Sequence, residues 1–143
     1  MSAWSETARG AAPKVGEAAE LKNEVTMRDI ELFTEITGDK NPLHYDKQVA
    51  EKSVFGGLIV QGGVTSGILN AIVAEHLPGP GTVFLHVDWS FKKAVLVGDV
   101  ITGRIEIVNA RDDKPICDLL TTVTNQNGEA CLTGTAKTYT VPL

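Results

Sequence analysis

Apolar residues recur along this chain with two different periods, helical in the first half and strand-like in the second. A short run, Glu20 to Val25, reads as a strand before the helical spacing begins. From Thr26, Met27, Ile30, Phe33 and Ile36 recur every third residue and form one apolar face, while Arg28, Asp29, Glu31 and Glu35 face water. Thr26 and Asp29 have the spacing of a capping box, and Gly38 is placed to end the helix in a left-handed conformation. A short helical piece follows Tyr45-Asp46 and runs to about Lys52. The next helix, from about Val64 to Leu77, is apolar nearly all round, which predicts burial. Gly62-Gly63 opens it and Pro78-Gly79-Pro80-Gly81 ends it.

After Gly81 the period becomes two. Val83, Leu85, Val87, Trp89 and Phe91 alternate with Phe84, His86, Asp88 and Ser90, which predicts a half-buried strand with the first set inward. Val97-Gly98-Asp99 reads as a turn, and Ile101, Ile105 and Ile107 mark the buried face of a second strand. The charged turn Arg111 to Pro115 leads into a hairpin, Ile116 to Asn125 and Glu129 to Val141, around Asn127-Gly128. Strands joined by short turns make an antiparallel sheet. One buried helix and about five such strands predict an α+β fold with the sheet wrapped round the helix.

Composition narrows the class. The 143 residues suit one domain with a sizeable core. Hydrophobic residues at 43% and charged residues at 22% are ordinary for a globular protein. Net charge is −5 and the Lys and Arg residues are scattered, so nucleic-acid binding has no electrostatic footprint. Apolar runs are broken well before the length of a membrane span, and Met1 to Lys14 lacks the apolar core of a secretory signal. Residues 1–14 are therefore expected to be a disordered tail, and residues 15–143 a single domain, in the cytoplasm or, if the tail is a presequence, the mitochondrial matrix. Cys117 and Cys131 form no disulfide framework. With Asn127-Gly128 as a two-residue turn, opposed positions have numbers that sum to 255. Cys131 then faces Thr124, about 23 Å along the strand from Cys117 at strand rise, against the roughly 7 Å that a bridge tolerates. No Cys/His cluster has zinc spacing, so no metal and no cofactor are expected.

The stretch with chemistry in it is Gly38-Asp39-Lys40-Asn41-Pro42-Leu43-His44. Pro42 fixes its own φ and holds Asn41 extended, so a short stiff loop can turn a carboxylate and an imidazole toward one point. An Asp and a His converging on one water form a general acid/base pair. The Gly62-Gly63 helix start offers free N–H groups to an anion or oxyanion, although it lacks the Lys-Ser/Thr of a phosphate loop. His76 sits near a helix C-terminus, where it is electrostatically favourable, and His86 lies on the polar face of its strand.

These segments resemble the MaoC-like family of (R)-specific enoyl-CoA hydratases over about residues 15 to 140. The likeness rests on Phe33 through Asp46 with Gly-Asp-Lys-Asn-Pro-Leu-His, on Phe55 through Gly62, on Leu77 through Thr82, and on Ser90-Phe91-Lys92 with Val97-Gly98-Asp99. It implies the hot dog fold, a homodimer, and an acyl-CoA or acyl carrier protein thioester as substrate, with no nucleic acid or membrane partner. It further implies that Asp39 and His44 are catalytic, that Asn41 supports them, and that the Gly62 N–H holds the thioester oxygen, with Gln61, Gly63 and Asn70 as neighbouring substrate-binding positions. The chain departs from the family where Gln61-Gly62-Gly63 replaces the common His-Gly-Met and Asn70 replaces a serine. A small Gly63 implies free volume near the helix start and room for longer acyl chains. The rival readings are a hot dog thioesterase, which does not need the Asp-x-Asn-Pro-x-His loop, and a non-catalytic acyl-thioester-binding module.

Overall fold

The computed structural model describes residues 2–143. Nine elements follow in order: β1 (Ala18–Glu24), α1 (Met27–Thr37), α2 (Pro42–Tyr45), α3 (Lys47–Lys52), α4 (Gly62–Glu75), β2 (Thr82–Phe91), β3 (Val100–Ala110), β4 (Ile116–Thr124) and β5 (Ala130–Thr140). The strands form one antiparallel sheet in the order β1-β3-β4-β5-β2, so β1 and β2 are its two edges. The sheet curls round α4, which contacts all five strands. Ile68, Leu69, Ile72 and Val73 of α4 are buried against Ile101, Ile105, Leu119 and Leu132 of the sheet. Gly103 in β3 makes the closest approach possible: a Cβ there would lie 2.8 Å from Cγ2 of Ile68. The α+β architecture expected from the pattern is present.

Local signals formed as their chemistry requires. The Thr26–Asp29 capping box has both arms, and the Asp29 carboxylate accepts from the Thr26 N–H at 2.7 Å. Gly38 ends α1 at φ 78°, in the left-handed region. In the β4–β5 hairpin, Ile116 faces Tyr139 and Val123 faces Leu132, with the expected sum, but the register shifts beyond Val123 so that Thr124 pairs with Ala130 and Cys131 does not face Thr124. Cys117 accordingly faces Thr138, far from Cys131, and both thiols are free and buried. Burial pushes the Cys117 thiol from 9.0 up to about 12, so it stays neutral and unreactive at neutral pH.

Three expectations are corrected. The hairpin turn is a three-residue loop: Asn125 accepts from the Gly128 N–H at 3.0 Å, Gly128 takes φ 75°, and the Asn125 side chain accepts from the N–H groups of Asn127 and Glu129. On β2, Val83 and Leu85 are exposed and Phe84 turns to the core, where it meets Trp89, inward as expected, edge to face at 5.7 Å. A bulge between Phe84 and His86 shifts the register with β5 and brings Phe84 to the face of Trp89, while Val87 on that same face is exposed. The described part of the expected tail, residues 2–14, packs on the domain. Trp4 is fully buried in the core and its Nε1 donates to the Arg111 carbonyl at 2.7 Å, while Thr7 bridges to Pro142. One indole buries enough apolar surface to hold a segment that has no periodicity of its own.

Trp4→Ala should therefore cost about 3–5 kcal/mol, as for other buried tryptophans. Urea unfolding reads this directly, and an unchanged midpoint would mean the first residues are not docked.

Candidate active site

The loop between α1 and α2 carries the two titratable groups. Its Asp39 carboxylate accepts from the Asn41 N–H at 3.1 Å, which fixes one oxygen, Oδ1. Asn41 caps α2, its side-chain oxygen accepting from the Leu43 N–H at 3.1 Å, with Pro42 at the first helical position. That single turn delivers His44 to a buried position, 6% exposed. Its Nδ1 lies 2.7 Å from the Ile59 carbonyl. A carbonyl only accepts, so Nδ1 carries the proton and donates, and Nε2 is left free. Nε2 faces Asp39 Oδ2 at 3.6 Å, with the Asp39 side chain 38% exposed. That gap exceeds a direct hydrogen bond and leaves both atoms able to meet one shared water or substrate atom.

Thr34 of α1 is the hub behind this loop, and periodicity gave no sign of it. Its hydroxyl contacts the Ile30 carbonyl at 3.0 Å, the Asp39 carbonyl at 2.8 Å and the Tyr45 hydroxyl. Gln61 Nε2 donates to the same hydroxyl at 3.3 Å and to the Ile30 carbonyl at 3.2 Å. One side chain thus links α1, the loop, the end of α2 and the start of α4. The sequence offered only a Thr four residues before the helix-ending Gly38, a spacing with many ordinary uses.

The start of α4 stands beside this loop through Ile59, which accepts from His44 and lies three residues before Gly62. Gly62 is exposed, and the first N–H groups of any helix lack partners within it. A Cβ on Gly62 would lie 3.2 Å from the Phe91 ring. The neighbouring positions differ from expectation. Gln61 is 2% exposed and its amide nitrogen is turned to α1, so it ties helices together rather than facing a ligand. Its Oε1 has no partner among the described residues. Gly63 leaves no free volume: a Cβ there would lie 2.2 Å from ring atoms of Phe33, which fills the space. Asn70 is exposed, about 12 Å further along the helix axis by helical rise.

Two clefts flank the helix start. One, of about 320 Å³, includes Phe55, Thr65, Gly62 and Phe91, with the exposed Lys92 and Lys93 at its rim. The other, also about 320 Å³, lies between α1 and α4 and includes Phe33. Among the described residues no cluster of His, Cys, Asp and Glu is arranged to hold a metal, and no helix is long and apolar enough to cross a membrane.

The description "MaoC like domain" matches residues 10–128. The chain is 34% identical over 123 residues to an (R)-specific enoyl-CoA hydratase of Aeromonas caviae, covering 86% of this chain and 92% of that protein. It is 31% identical over 111 residues to an (R)-specific enoyl-CoA hydratase of Rhodospirillum rubrum, covering 78% and 77%. Among solved structures, an (R)-hydratase from A. caviae involved in PHA biosynthesis superposes with a TM-score of 0.86 at 32% identity, covering 90% of this chain and 98% of that one.

Proposed function

Because the chain belongs to the MaoC-like domain family, we infer that it is an (R)-specific enoyl-CoA hydratase, a hydro-lyase. It adds water to a trans-2-enoyl-CoA to give the (R)-3-hydroxyacyl-CoA, and catalyses the reverse dehydration. The observation that carries this reading is the Asp39–His44 pair: a carboxylate oxygen and an imidazole nitrogen, 3.6 Å apart, each group held by a hydrogen bond on its far side.

In this reading one water sits between Asp39 Oδ2 and His44 Nε2 and gives a proton to one of them. Its oxygen bonds to C3 of the enoyl group, and the π electrons move to C2 and the thioester carbonyl. The same pair then returns a proton to C2. Atoms balance: one water enters, its hydroxyl on C3 and its proton on C2. Two coupled groups on one water titrate as a unit, so the proton belongs to the pair. Negative charge gathers on the thioester oxygen during the addition. The Gly62 N–H meets it at the positive end of α4. Asn41 acts on the pair by positioning Asp39 and α2, and Thr34 holds the loop to both helices. The Lys92 ammonium group suits the phosphates of a CoA carrier at the mouth of the Phe91 cleft, beside Lys93, which is paired with Glu129 at 3.2 Å. Two free, buried thiols suit a reducing compartment such as the cytoplasm.

The functional unit in this reading is a homodimer. β2 is an open edge, and Val83, Leu85 and Val87 on it are exposed, an arrangement that favours pairing with the same edge of a second copy.

Incubation with crotonyl-CoA should remove the conjugated-enoyl absorbance while a free-thiol assay stays flat; thiol release instead would identify a thioesterase. Asp39→Asn and His44→Ala should each lower turnover at least about 10²-fold with unchanged circular dichroism. Because both act on one water, the double variant should lose far less than the product of the two losses. A multiplicative loss would refute the shared water.

Gly62→Pro removes the proposed donor and suits the first position of a helix. With fold and assembly intact it should lose about 10²–10³ in kcat. A near-normal kcat would place oxyanion stabilisation elsewhere. Light scattering should give twice the chain mass, and a fully active monomer would exclude the dimer.

A further inference from the structure

The turn between β4 and β5 holds a cluster of polar side chains that the proposed chemistry does not use, centred on Glu129. Its Oε1 accepts from the Asn125 side-chain amide at 3.1 Å and from that of Asn127 at 3.4 Å, and its Oε2 lies 3.2 Å from the Lys93 ammonium. Asn125 is buried and is itself fixed, because its Oδ1 accepts from the N–H groups of Asn127 and Glu129. The Glu129 carboxylate is therefore oriented from behind, unlike one that swings freely in water. Hydrogen bonds from Asn125, then Lys93 and Asn127, hold its carboxyl below the usual range, so it stays charged beside the lysine. Backbone bonds place the lysine. The N–H groups of Lys92 and Lys93 donate to the Cys131 carbonyl at 2.8 and 3.4 Å, which ties the end of β2 to the strand that follows Glu129. Both lysines border the cleft that includes Gly62 and Phe91; of the two, Lys93 alone is ion-paired among the described residues.

We propose that Glu129 is a positioning residue that holds Lys93 in reserve at the cleft mouth, and that a phosphate on the substrate's carrier arm draws the ammonium off it. The assignment rests on the hydratase reading for its substrate class and adds the residue that governs carrier affinity. An ammonium paired with a carboxylate offers an incoming anion little net charge. The pair is weak enough to yield, since both side chains are just under half exposed and water screens them. A phosphate competes well, because its oxygens form charge-assisted hydrogen bonds with the same ammonium. The carboxylate cannot follow, because the Asn125 and Asn127 amides keep it on the turn. Lys93 can leave, on a flexible four-carbon stem. Before binding, the mouth offers one free ammonium, Lys92; with the phosphate in place it offers two. Affinity then depends on what carries the acyl group, while Asp39 and His44 are left untouched.

Glu129→Gln keeps an oxygen for the Asn125 and Asn127 amides and removes the charge that holds Lys93. Calorimetry with butyryl-CoA should then show about two- to fivefold tighter binding, the range an exposed ion pair spans, and the gain should fade at high salt. With crotonyl-CoA, KM should fall by a similar factor while kcat holds, a split that a merely structural role would not give. Lys93→Met alone should weaken butyryl-CoA binding and leave butyryl-pantetheine binding unchanged. In a Lys93→Met background, Glu129→Gln should have no effect, since the residue it acts through is gone. Thioesters on different carriers locate the phosphate. A gain with both butyryl-CoA and butyryl-phosphopantetheine puts it on the arm that CoA and acyl carrier protein share; a gain with butyryl-CoA alone puts it at the nucleotide end. Either result supports the assignment. An equal gain with butyryl-pantetheine, which has no phosphate, overturns it, as does unchanged butyryl-CoA affinity in folded Glu129→Gln or Lys93→Met protein. Failure of the hydratase reading looks different: the binding shifts persist in a protein that does not hydrate crotonyl-CoA.

Discussion

A helix that is apolar nearly all round has to be covered over most of its surface, and α4 is such a helix. Ile68, Leu69, Ile72 and Val73 are buried, and along its middle only Asn70 is exposed. Most of the chain can be understood as its enclosure. The sheet curves because it must reach round the helix, and Gly103 gives up a side chain so that β3 can lie against Ile68. α1 packs over part of what the sheet leaves bare. What cannot be covered is the start, because the first N–H groups need polar company that an apolar wall does not supply. Burial of the helix body and availability of its N-terminus are therefore one constraint, and the polar chemistry gathers where the enclosure ends.

Rigidity at that end comes from a few hydrogen bonds that close on one another. Thr34 and Gln61 join α1 to α4, Asn41 joins Asp39 to α2, and the Ile59 carbonyl sets the orientation of the His44 ring. Each is worth only about 0.5–1.5 kcal/mol. Their value lies in geometry, since two reactive atoms must be held apart by a fixed distance without touching. A direct Asp39–His44 hydrogen bond would have consumed the acceptor that the reaction uses.

What could be read from the sequence was what short-range chemistry decides. The Thr26–Asp29 cap, the left-handed Gly38 and the stiff Asp39 loop all follow from residues within a few positions of each other. The fold class followed too, because the change of apolar period survives local errors. The misses share a different origin. Trp4 is held by Arg111, far along the chain. The inner face of β2 depends on a bulge that no turn residue announces. The space beside Gly63 is filled from α1, by a phenylalanine that periodicity had assigned simply to an apolar face. In the site, the loop that carries Asp39 and His44 was legible, whereas the amide of Gln61 was aimed at a ligand and in fact spans two helices.

The interlock of Phe33 and Gly63 also constrains how this protein could change over generations. With 2.2 Å between the ring and a hypothetical Cβ, any side chain at 63 collides with the aromatic ring at 33 unless the ring moves. The reverse loss, a smaller residue at 33, opens a hole beside the glycine. The two positions are thus epistatic: a shift toward the His-Gly-Met arrangement at 61–63 meets less resistance after Phe33 has become smaller. Sequences that diverge from this one should carry the two changes together, with the intermediate in the other order rarely sampled.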